Sequence, residues 1–131
     1  DTLDIDITYP SLGNIKAQGQ ITMDSPTQFK WDATTKGEND FHGRLTGTLQ
    51  RLPSAEEADE ELKRQGVRGT LAAQLLPGTW QATFTNEDGQ TSQGQWHFQP
   101  RSPYTMDIVA QGTISDGRPI VGYGKATVKT P

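Results

Sequence analysis

The chain has 131 residues, a net charge of −4, 31% hydrophobic residues and no cysteine, a size that suits one domain around one core. The acidic balance and a pI near 5.0 give a phosphate backbone no basic patch to bind, which argues against nucleic acid. Without cysteine there are no disulfides, thiolate metal sites or thiol nucleophiles, and no run of about 18 apolar residues predicts a membrane span.

Alternation with a period of two opens at Leu3, Ile5, Ile7 and Tyr9, with Asp4, Asp6 and Thr8 on the other side, as in a half-buried strand. It resumes at Ile15, Ala17, Gly19, Ile21 and Met23 and stops at the turn Asp24-Ser25-Pro26. Phe29, Trp31 and Ala33 predict a third strand and residues 34–40 a loop, before Phe41, Gly43, Leu45, Gly47 and Leu49 predict a fourth.

The alternation breaks over residues 54–65, where Ser54 and Glu57 have the spacing of a capping box and Gly66 stands where a helix would end. A helix of about three turns would carry a narrow apolar stripe of Ala55, Ala58 and Leu62. Asp59 with Lys63, and Glu60 with Arg64, would then pair at i,i+4 on its wet side.

Val67, Gly69, Leu71, Ala73 and Leu75 predict a strand, followed after Pro77-Gly78 by Trp80, Ala82 and Phe84. Asn86-Glu87-Asp88-Gly89 is a hairpin signal leading to Gly94, Trp96 and Phe98. Pro100 and Pro103 bracket the next connection. A last hairpin pairs Met106, Ile108, Ala110, Gly112 and Ile114 with Ile120, Gly122, Gly124, Ala126 and Val128 across Ser115-Asp116-Gly117. The expected fold is therefore all-β: an antiparallel barrel or strongly coiled sandwich of about eight to nine strands with one short helix, in a single domain over residues 1–131.

Gly19, Gly43, Gly47, Gly69, Gly112, Gly122 and Gly124 fall in phase with the apolar residues of their strands. Glycines facing inward imply a sheet that coils and closes, or room left inside for a ligand.

The chemistry-bearing residues are sparse. His42 and His97 lie on polar phases without a spacing that would join them to a carboxylate, so no metal site is expected. Asp4 and Asp6 share a face but lack a glycine-bearing calcium loop. Serine-nucleophile, phosphate-loop and zinc-protease motifs are absent, so no cofactor is expected and the reading leans away from an enzyme. Trp31, Trp80 and Trp96 on the apolar phase are candidate walls of a ligand site. Tyr123, on the polar phase with Val109 and Val121 on like phases, is a candidate contact residue.

Gly78-Thr79-Trp80 resembles the Gly-x-Trp signature of lipocalin-type barrels, and the resemblance implies small apolar ligands. It spans three residues and lies mid-chain, whereas in that family it opens the first strand. Two functions follow: a non-enzymatic binding or assembly module contacting a partner protein or a small ligand, or a barrel carrier or cyclase- or isomerase-type enzyme holding an apolar small molecule inside. A start at Asp1 without methionine or an apolar leader fits a soluble processed chain or a trimmed piece, and leaves the compartment and oligomeric state undecided.

Overall fold

A computed structural model describes residues 2–37, 42–64, 70–113 and 117–128. Eight strands run up and down in chain order and close on themselves: β1 (Thr2–Tyr9), β2 (Ile15–Ser25), β3 (Gln28–Lys36), β4 (His42–Arg51), β5 (Gly78–Thr85), β6 (Thr91–Ser102), β7 (Thr105–Thr113) and β8 (Pro119–Val128). Every neighbouring pair is antiparallel, and β1 pairs with both β2 and β8, so no strand edge is left to solvent. The closed barrel settles the choice between barrel and sandwich.

Alternation puts one face of each strand inside. In β1, Leu3, Ile5, Ile7 and Tyr9 are buried while Asp4 and Asp6 are exposed. The pairings Leu3↔Ile21, Ile7↔Ala17 and Leu3↔Val128 bring like phases together, so the apolar sets of all strands meet in one core.

Closure depends on the inward glycines in a regular way. A Cβ on Gly19 of β2 would lie 1.8 Å from the Asp32 carbonyl oxygen of β3, one on Gly47 of β4 1.8 Å from Thr83 O of β5, one on Gly94 of β6 2.0 Å from Gln111 O of β7, and one on Gly124 of β8 1.8 Å from Asp6 O of β1. Each even-numbered strand therefore presses a bare backbone onto the strand that follows it around the barrel. These are four corners at which the sheet bends tightly. Gly122 differs, since a Cβ there would meet the Tyr9 ring at 2.6 Å.

Several expectations need correction. The strand expected through Leu71, Ala73 and Leu75 is instead a short helix, α2 (Leu71–Leu75), whose N-cap Thr70 accepts a hydrogen bond from Ala73 N–H. Its buried residues, Ala72 and Ala73, and its buried C-cap Leu76 follow a helical repeat; Val67 and Gly69 lie outside the described residues, as do Phe41, Gly66, Ile114, Ser115 and Asp116. Residues 34–36 belong to β3 and not to a loop, and Pro100 lies within β6.

The helix expected over 54–65 is a 3-10 turn (Pro53–Ala55) followed by α1 (Glu56–Lys63). Ser54 does not cap it, and Ala58 is exposed. Lys63 pairs with Glu60 and Arg64 with Glu61, both at i,i+3. Asp59 is not on the wet side: it is 1% exposed. Among the described residues no helix is long and apolar enough to cross a membrane.

Candidate functional site

The two ends of the barrel differ. One carries the β2–β3, β4–β5 and β6–β7 connections and is covered by α1 and α2; the other carries the remaining hairpins.

At the helical end the covering is polar at its centre. Asp59 Oδ2 lies 2.8 Å from Arg51 Nη1, and Asp59 Oδ1 accepts the Thr79 N–H at 3.0 Å. Arg51 also donates to Pro77 O at 3.2 Å and to Leu75 O, and its guanidinium carbon sits 4.0 Å from the Trp80 ring centroid. Trp80 Nε1 donates to Leu76 O at 2.8 Å. Gly78 has φ +122°, and a Cβ there would stand 2.2 Å from the Asp59 carboxyl carbon, so two independent constraints demand glycine. The Gly78-Thr79-Trp80 spacing thus admits the carboxylate, offers it a backbone N–H and seats an indole under the arginine.

Above this cap the interior is aromatic. Phe29 meets Trp80 edge-on at 5.0 Å, Trp31 lies 5.0 Å from Trp96, and Phe84 and Phe98 flank that pair at 6.1 Å each. On three strands the inward residues shrink toward the hairpin end: Phe98 and Trp96 give way to Gly94 and Ser92 on β6, Phe29 and Trp31 to Ala33 and Thr35 on β3, and Met106 and Ile108 to Ala110 and Gly112 on β7; Ile7 and Tyr9 of β1, Phe84 of β5 and Ile120 of β8 are the large buried residues there. Trp96 pairs in register with Trp80 on one side and Ala110 on the other, at the boundary between large and small.

Two of the three indole donors are satisfied, Trp31 Nε1 by Thr83 O at 3.1 Å and Trp80 Nε1 by Leu76 O. Trp96 Nε1 is buried and, among the described residues, has no acceptor. Buried polar groups are nearly always paired, so this one calls for a cause. On β1, burial pushes the Tyr9 phenol far above its ordinary range, which keeps its hydroxyl uncharged. Between the cap and the hairpin end, no charged side chain among the described residues takes an inward position. The chemistry available there is dispersion, stacking and neutral hydrogen bonding.

The structure thus brings together Trp31 and Trp96, places Trp80 in the cap, and sets Tyr123 apart. Tyr123 is 56% exposed on the outer face of β8, in register with Val109 and Thr8. His97 lies on the outer face with Nδ1 2.9 Å from Thr79 Oγ1. Asp59 and Arg51 escaped the sequence reading, since a lone aspartate in an acidic helix carries no periodic signal; Gly78 before Trp80 was the one hint. Two described hollows, of about 680 and 440 Å³, lie on the outer wall.

No family model matches the chain, and no curated protein matches it. Solved structures do. A de novo designed fluorescence-activating β-barrel is 14% identical over 98% of this chain and 91% of its own, with a TM-score of 0.54. EF1p2_mFAP2b bound to DFHBI is 14% identical over 98% and 91%, at 0.57. A redesigned β-barrel, mFAP1, bound to DFHBI, is 17% identical over 96% and 91%, at 0.55. At such identities the likeness establishes the barrel fold alone.

Proposed function

We propose that the barrel is a small-molecule-binding protein, taking a flat, uncharged, largely apolar ligand into the interior from the hairpin end, with one ligand acceptor receiving the Trp96 Nε1–H hydrogen bond. The observation that carries this reading is the unpaired indole donor. A buried donor without a partner costs about 1–3 kcal/mol, and a ligand carbonyl or ring nitrogen would recover that cost. Trp31 and Trp96 would form the stacking wall, Tyr9 supplies a neutral hydroxyl, and the small inward residues of β3, β6 and β7 lie between that wall and the hairpin end. Trp80 serves the cap, and Tyr123 faces away from the ligand. That designed barrels of this fold are described bound to DFHBI supports the reading, because it makes the scaffold compatible with a small-molecule ligand.

Titration with DFHBI and with neutral flat ketones such as flavone, followed by dye and tryptophan fluorescence, should give saturable binding. Trp96→Phe keeps the stacking surface but loses the donor, so affinity should fall about tenfold, roughly 1.4 kcal/mol, while the thermal transition stays cooperative. Equal affinity in Trp96→Phe, or no saturable binding by any of these probes, would refute the assignment.

A further inference from the structure

The outer wall carries a second feature, independent of the interior. A groove of about 680 Å³ crosses β2 to β5, lined by Gln20, Thr22, Thr46, Thr48, Thr83 and Thr85. It adjoins the 440 Å³ hollow, which shares Gln20 and Asp32 and continues through Gln18 and Thr34. The groove lies over the β4–β5 seam. Gly47 offers no side chain at the β4–β5 seam and presses onto Thr83 O. The Trp31 indole reaches through the seam from inside to donate to that same carbonyl, while the Thr48 N–H donates to Thr83 Oγ1 at 3.1 Å. The two threonine hydroxyls lie 2.8 Å apart. Side chains thus stand in for part of the backbone ladder, over an indole edge.

The lining selects a ligand class. Hydroxyl and carboxamide groups each donate and accept, which matches a ligand whose own groups do both. The charged residues of the larger hollow are already engaged: Arg44 binds Asp32 through two nitrogens, which holds the Asp32 carboxyl below its usual range, and Lys30 lies 3.5 Å from Asp24; Asp4 lines the smaller one. A phosphate or a metal ion would have to break these pairs. A peptide strand has no edge to extend, because the barrel is closed.

We infer that this outer groove is a binding site for a neutral oligosaccharide, with sugar hydroxyls hydrogen-bonded to Gln20, Thr46 and Thr85, and a further ring in the adjoining hollow, where it would share the exposed hydrogen bonds that Gln18 makes to Asp6 and Thr34 to Gln18 O. Backbone amide NMR of the whole chain titrated with cellotriose, maltotriose and triacetylchitotriose, with sialyllactose as the charged comparison, tests it. At least one neutral trisaccharide should shift the amides of Gln20, Thr22, Thr46 and Thr85 saturably, leave the Trp96 indole signal in place, and bind about tenfold more weakly to Gln20→Leu/Thr85→Val. Gln20→Leu alone, an exposed change, serves if the double variant misfolds, and should also weaken binding. No saturable shift at these residues with any neutral trisaccharide, or undiminished binding by the variants, overturns the inference.

Discussion

Replacing Gly124 by valine should cost more than about 3 kcal/mol, beyond ordinary overpacking, and should leave the chain without a cooperative thermal transition. The reason is what the new carbon would meet. Its Cβ would stand 1.8 Å from Asp6 O and 2.7 Å from Ile7 Cα, and both are backbone atoms of the strand that closes the barrel. A flexible side chain could swing away; a paired strand can move only by giving up its ladder with β8. Lys125→Val, one residue on and facing solvent, should change stability by no more than about 0.5 kcal/mol. Urea unfolding of the two variants decides the matter, and a mild loss for Gly124→Val would mean that closure does not need bare corners.

Asp59→Ala should be nearly as damaging, at about 3–5 kcal/mol, because it leaves a buried arginine without its counter-ion. Arg51 is 10% exposed at its side chain and Asp59 2%, so water cannot take the place of the carboxylate. The same change strips the Thr79 N–H of its acceptor and loosens α1 from the barrel end. Removing both charges with Arg51→Met/Asp59→Leu should be less harmful than Asp59→Ala alone, since an apolar pair carries no desolvation penalty. A loss below about 1 kcal/mol for Asp59→Ala, a figure typical of exposed pairs, would remove this ion pair as the fastener of the cap.

The strands were legible because period two persists wherever a strand has one wet and one dry face. β1 and β8 show it without a break, and the inward phase of Gly47, Gly112, Gly122 and Gly124 follows from the same count. Gly94 stands in step with Trp96 and Phe98 yet was missed among the inward glycines, and its part as a corner emerges only when β7 is laid beside it. The segment from Leu71 to Leu75 misled because five residues cannot separate a period of two from one of 3.6. Leu71, Ala73 and Leu75 alternate, yet the chain buries Ala72, Ala73 and Leu76, and Thr70 caps the turn. Asp59 was illegible for a different reason. Its surroundings in sequence are Glu56, Glu57, Glu60 and Glu61, which mark a solvated helix, while its partner Arg51 and its seat against Gly78 come from other elements. Likewise the unpaired donor of Trp96 is invisible in sequence, where three tryptophans on the apolar phase look alike; only register and depth tell apart the one without an acceptor.

The three indole N–H groups report on the interior separately. With the protein 15N-labelled at tryptophan, saturation by DFHBI or flavone should displace the Trp96 indole signal downfield, as a new hydrogen bond would, and leave Trp80, held by Leu76 O beneath Arg51, unchanged. If Trp96 stays in place while a ligand binds, or if Trp80 moves in its stead, the ligand does not occupy the interior beside Trp96.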